Sequence, residues 1–167
     1  NTIVIFTSDN GYNMGHNGIW HKGNGRWILK STRDLGGDDP RANRPNMYDN
    51  SLRVPTAIRW PGVVKPGSRI DNTITILDWF PTICAMADAD VPRDATVRGR
   101  DFTKLLRGKK MRWDDDYYGE YSQHHYVNAD LRCYRTPEWK LVRDFKNEGK
   151  DELYDLTNDP NEHTNLI

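Results

Sequence analysis

The feature that most limits what this chain can fold into is its opening. Four consecutive apolar residues, Ile3-Val4-Ile5-Phe6, run into Ser8-Asp9-Asn10-Gly11 and then into a loop of Gly, Asn and His. A short apolar run bounded by turn residues predicts a β-strand buried on both faces, the kind that belongs to an α/β sheet. In open α/β sheets ligands bind outside the carboxyl ends of the strands, so this strand delivers Asp9 and Asn10 to a functional edge. A carboxylate beside an amide carbonyl offers two hard oxygen donors suited to Ca2+, with Mg2+ the second choice, and Gly11 permits a tight turn at positive φ that aims both at one ion. The same residues also read as ordinary turn chemistry, an Asx-type cap followed by glycine. A doubly buried strand needs neighbours on both sides, and the chain enters it from Asn1 without a Met. Further sequence is therefore expected upstream.

At 167 residues the chain suits one domain, or one domain with a small appendage. Lys plus Arg (24) equals Asp plus Glu (24), so no basic face points to nucleic acid. Cys84 and Cys133 lie far apart and match neither a CxxC pair nor a zinc spacing. No apolar run reaches the length of a membrane helix, and no signal-peptide pattern opens the chain.

Residues 23–46 are dense in Gly, Asn, Asp and Pro and predict a long surface loop. Val54 to Trp60 predicts a short strand with Pro55 near its start, closed by Pro61-Gly62. From Thr75 to Ala89, Ile76, Leu77, Phe80, Ile83, Cys84 and Ala87 recur at helical spacing, which predicts a core-facing helix with Asp78 capping the turn before Pro81. Residues 103–107 suit a helical turn closed by Gly108. Beyond it, the runs 117–121, 131–136, 139–144 and 152–156 are short, aromatic or β-branched, and separated by turn clusters. They predict an antiparallel sheet, and the turn at Asp159-Pro160 predicts entry into a C-terminal helix.

Five blocks in order, TSDNGYNMGHNGIWHK, YDNSLRVPTAIRWPG, ILDWFPTICAMA, LRCYRTPEWKLV and ELYDLTNDPNEHTNL, carry a family resemblance. Over essentially its whole length the chain resembles the second half of a type I, formylglycine-dependent sulfatase, arylsulfatase-like, of the alkaline phosphatase superfamily. The resemblance implies an α/β fold: residues 1–112 as the C-terminal portion of an alkaline-phosphatase-like mixed-sheet domain, and 113–167 as a small four-stranded antiparallel sheet with a C-terminal helix. It assigns Asp9 and Asn10 to the active-site calcium and Lys22 to contact with the sulfate group. Counting back from Tyr48-Asp49 places Arg44 at the alternative position for that cation, and the long insertion leaves both open. His16 and His21 become candidates for substrate contact, with Asn17 in a slot that many relatives fill with His. Trp20, Arg26 and Trp27 are candidates to hold a sugar.

The family makes its formylglycine from Cys or Ser in a C/S-x-P-x-R motif, and this sequence contains none. The resemblance thus places the nucleophile in a missing N-terminal half, leaves this chain inactive alone, and implies a sulfated small molecule or carbohydrate as substrate, in a periplasmic or secreted setting. Two alternatives stay open: a phosphomonoester or phosphonate hydrolase of the same superfamily, and a non-catalytic binding module on the same scaffold.

Overall fold

The apolar opening forms a strand, β1 (Val4–Phe6), but one with a single partner among the described residues. It pairs antiparallel with β4 (Ala57–Arg59) in the register Val4↔Arg59, Ile5↔Ile58, Phe6↔Ala57. This computed structural model describes residues 2–23, 44–124 and 128–167. Among them, the expected burial on both faces is not met: a two-stranded ribbon covers neither face, and Phe6 is 67% exposed.

The chain groups into two compact units, Asn1–Phe6 with Ala57–Asp115, and Thr7–Thr56 with Asp116–Ile167. The loop from Asp9 to Lys22 follows β1 in sequence yet folds with the second unit.

In the first unit, α2 (Ile76–Met86) begins where Asp78 Oδ2 accepts the Thr75 backbone N–H at 2.8 Å, as the sequence predicts. Its orientation is the reverse of the expectation. The buried side is Asp78, Pro81 and Thr82, whereas Ile76 (70% exposed), Leu77, Phe80 and Ile83 face outward. Hydrogen bonds hold the polar side in. Asp78 Oδ1 accepts Arg100 N–H at 2.7 Å, and the Thr82 hydroxyl donates to the Asp78 carbonyl at 2.6 Å while accepting Phe102 N–H at 3.1 Å. Phe102 meets Trp79 and Trp113 edge-on, and it leads into α3 (Thr103–Leu106), closed by Gly108 N–H on Leu105 O at 2.9 Å.

In the second unit, β5 (Tyr117–His124), β6 (Asn128–Arg135), β7 (Trp139–Asp144) and β8 (Glu152–Asp155) form an antiparallel sheet in that order. Period-two alternation turns Ala129, Leu131 and Cys133 of β6 and Lys140, Val142 and Asp144 of β7 inward. The segment 44–52, which ends in α1 (Asp49–Leu52), lies on this face. Met47 packs with Ala129, Leu131, Cys133 and Val142, and Tyr48 packs with Ile19, Tyr154 and Leu156.

After β8 no helix occurs among the described residues, which corrects the expected C-terminal helix. Asp155 Oδ1 takes the N–H groups of Thr157 (3.0 Å) and Asn158 (3.2 Å), and Asp159 takes that of Thr164 (2.8 Å), so side chains claim donors a helix would need. The chain then runs along the edge of the sheet, with Leu166 N–H on Leu153 O at 2.9 Å.

Candidate active site

Asp9 and Asn10 form the turn that follows Ser8, whose hydroxyl donates to the Asn10 carbonyl at 2.9 Å. Asp9 is exposed, and Asn10 commits its amide nitrogen to Gly11 O at 2.7 Å, which leaves its Oδ1 as the acceptor end. Gly11 is required here for a reason other than the expected one. Its φ is not positive; instead a Cβ would sit 2.1 Å from Asn50 O and 2.8 Å from Arg53 O, so only glycine lets α1 come this close. Gly11 N–H donates to Ser51 O at 2.9 Å.

The chain then makes a small hairpin, β2 (Asn13–Met14) against β3 (Trp20–His21), in the register Asn13↔His21 and Met14↔Trp20. That register returns the chain so that Lys22 leaves the hairpin at the end where Gly11 and Tyr12 enter it. At the opposite tip, residues 16–18 form a 3-10 turn with Asn17 at φ 51°. His16 stands exposed there, its Nδ1 accepting Met14 N–H at 3.3 Å, two rungs away from Lys22. Tyr12 lies edge-on to Trp20 (centroids 6.3 Å) and tilted to His21 (6.4 Å), beside the exposed Lys22. Burial, and after it the positive charge of Lys22, push the His21 pKa below its usual value.

Arg44 is placed differently. It is buried, its Nη2 donates to Glu152 Oε1 and to Lys150 O (2.7 Å), and its Nη1 lies 3.5 Å from Asp144 Oδ2. Its charge is offset inside the sheet unit, so of the two candidate cations Lys22 is the one presented at the surface. Trp27 and Arg26 lie outside the described residues.

The donor chemistry of the turn fits a hard cation: one exposed carboxylate and one amide oxygen. A calcium shell takes about six to eight oxygens, and no group of three His, Cys, Asp or Glu suited to a metal occurs among the described residues. Asp9 and Asn10 alone offer only two of those oxygens.

Sequence reasoning missed what supports this loop. Lys140 is fully buried, and its ammonium donates to Met47 O (2.8 Å), Asp49 Oδ1 (2.6 Å) and Glu162 Oε1. Asp49 also takes the Arg135 fork, Nε to Oδ1 at 3.0 Å and Nη2 to Oδ2 at 2.9 Å. For Asp49, burial pulls its pKa up, but the Arg135 hydrogen bonds and Lys140 outweigh it and hold the carboxyl below the usual range; for Glu162 burial prevails and raises it. The available signal was parity: Lys140 shares the inward side of β7 with Val142.

The four-stranded sheet and the loop laid against it define a class, the sulfatases. Residues 42–167 match the family model described as N-sulphoglucosamine sulphohydrolase, C-terminal, and the chain belongs to that family. It is 34% identical to steryl-sulfatase of Rattus norvegicus over 78% of this chain and 20% of that protein. It is 27% identical to N-acetylglucosamine-6-O-sulfatase of Bacteroides thetaiotaomicron, over 100% of this chain and 26% of that protein. A solved structure described as a 2-O GAG sulfatase superposes with a TM-score of 0.73 at 26% identity, covering 99% of this chain and 31% of the other. The chain spans about a fifth to a third of these relatives' length.

Proposed function

We propose that the protein containing this chain hydrolyses sulfate esters of a carbohydrate, and that the chain supplies part of its ion site and its sulfate-binding lysine. The observation that carries this reading is the hairpin register, which returns Lys22 to the end of the hairpin at which the chain enters from the Asp9-Asn10-Gly11 turn. Asp9 and Asn10 hold Ca2+ through a carboxylate and a neutral oxygen. When bound, the ion withdraws charge from sulfate oxygens as a Lewis acid. Lys22 places a fixed cation where charge collects as the ester bond breaks. His21, whose pKa burial and then Lys22 lower, is suited to hydrogen-bond the substrate near the sulfate, and His16, at the far tip of the hairpin, is assigned to a part of the substrate away from it. A carbohydrate is favoured because the N-acetylglucosamine-6-O-sulfatase and the 2-O GAG sulfatase match over 100% and 99% of this chain. The nucleophile, a formylglycine, belongs to an upstream half, which is this chain's partner.

The test compares the purified chain with the complete protein on an aryl sulfate and on a sulfated monosaccharide. The chain alone is expected to show no turnover. In the complete protein Lys22→Ala is expected to lower kcat/KM by about 100-fold, the scale of losing one charge-stabilising donor. Turnover by the chain alone, a preference for phosphate esters, or full activity of Lys22→Ala would each overturn part of the proposal.

A further inference from the structure

We infer that Ser51 is a positioning residue of this site, joining with Asn13 and Asn46 to fix the backbone on both sides of Lys22 relative to the Asp9-Asn10-Gly11 turn. The inference rests on the role proposed above for Lys22. A lysine stem has four rotatable bonds, so its ammonium is useful at a reacting sulfate only when the backbone that carries it is held. Both neighbouring residues, His21 and Gly23, are held by their carbonyls. Asn13 Nδ2 donates to the carbonyl of His21 at 3.1 Å, and Asn46 N–H donates to the carbonyl of Gly23 at 2.8 Å. The two asparagines meet at one hydroxyl: Asn13 Nδ2 donates to Ser51 Oγ at 2.6 Å, and Ser51 Oγ donates to Asn46 Oδ1 at 2.7 Å.

Proton accounting permits this arrangement in one sense only. The His21 carbonyl forces the amide nitrogen of Asn13 toward it, the second hydrogen of that nitrogen goes to Ser51, and the single Ser51 hydrogen is then left for Asn46. Asn46 Oδ1 uses its other lone pair for Tyr48 N–H at 3.1 Å. All three side chains are buried. Gly23 confirms how tightly they fit: at φ +103° it lies so close that a Cβ would stand 2.6 Å from Ser51 Oγ. The backbone of the same serine grips the other side, since its carbonyl accepts Gly11 N–H at 2.9 Å. One residue of α1 thus touches both the ion turn and the lysine loop, and sets the spacing between them.

A double-mutant cycle in the complete protein tests this, with kcat/KM for an aryl sulfate and the melting temperature measured for wild type, Ser51→Ala, Lys22→Ala and the double variant. If Ser51 acts through Lys22, Ser51→Ala lowers kcat/KM about tenfold or more in the wild-type background and less than about twofold when Lys22 is already Ala. Equal losses in both backgrounds, or none in the first, overturn the inference. An additive result on top of a harmful Lys22→Ala leaves the proposed function standing; a harmless Lys22→Ala removes both. Should Ser51→Ala not fold, Asn13→Leu, close in shape but without the amide, runs the same cycle under the same criteria.

Discussion

At His21 the local environment has a readable consequence. Its folded pKa is lowered by burial and by Lys22, so in the window below about 6.5 the unfolded chain binds the proton more readily than the folded one. The contribution to stability is therefore complete above that value and is lost as pH falls through the window. An NMR titration of the His21 ring is expected to show a pKa under the ordinary one, and Lys22→Gln is expected to raise it part of the way, because burial is the larger cause. No movement in Lys22→Gln would remove Lys22 from the neighbourhood of the ring. The cysteines give a second reading: burial pushes the Cys133 thiol up to about 11 and it is fully covered, whereas Cys84 is partly exposed. A thiol reagent at neutral pH is expected to label Cys84 first, with Cys133 reacting only on unfolding; equal rates would contradict the packing of β6. Asp9, Asn10 and Lys22 were legible only as candidates, because their types announce chemistry. The reason for Gly11 was not legible, because the carbonyls that exclude a Cβ come from α1 and the residue that ends it, some forty positions on.

Among the elements, β7 and α1 depend on one buried ionic cluster. Lys140 has no exposed surface and is held between Asp49 and Glu162, with Arg135 completing the shell of Asp49. Asp49→Asn leaves a buried ammonium and a guanidinium short of a counter-charge, and is expected to cost about 3–5 kcal/mol in denaturant unfolding. The sign with pH follows from the lowered Asp49 pKa: the wild-type advantage is full above about 4 and shrinks as pH falls through the folded value. A gap below about 1 kcal/mol at neutral pH would show that the cluster is not a keystone. The sheet was legible, since its strands alternate and turn clusters separate them. The facing of α2 was not. Periodicity shows that Ile76, Leu77, Phe80 and Ile83 share a stripe; it does not show which neighbour covers it, and here hydrogen bonds from Arg100 and Phe102 draw the polar side inward. The C-terminal helix failed for a related reason, because the Asp side chains after β8 compete locally for backbone donors.

On the scale of the whole molecule, the first unit carries an unusual surface for a chain of this size. Ile76, Leu77, Phe80 and Ile83 are all exposed along one side of α2, and large contiguous apolar patches are uncommon on soluble monomers. The relatives are about three to four times longer than this chain, and the proposed upstream half is the natural cover for such a stripe. The same pair of substitutions should then behave in opposite ways in two settings. In the chain alone, Phe80→Ser with Ile83→Ser removes exposed apolar area; it is expected to reduce binding of a hydrophobic dye and to change unfolding free energy by no more than about 0.5 kcal/mol per site. In the complete protein the two side chains are expected to be buried, and truncating them to Ser costs about 2–5 kcal/mol each. Equal effects in both settings would mean that the stripe stays open in the whole protein. A large loss in the chain alone would mean that another part of the same chain already covers it.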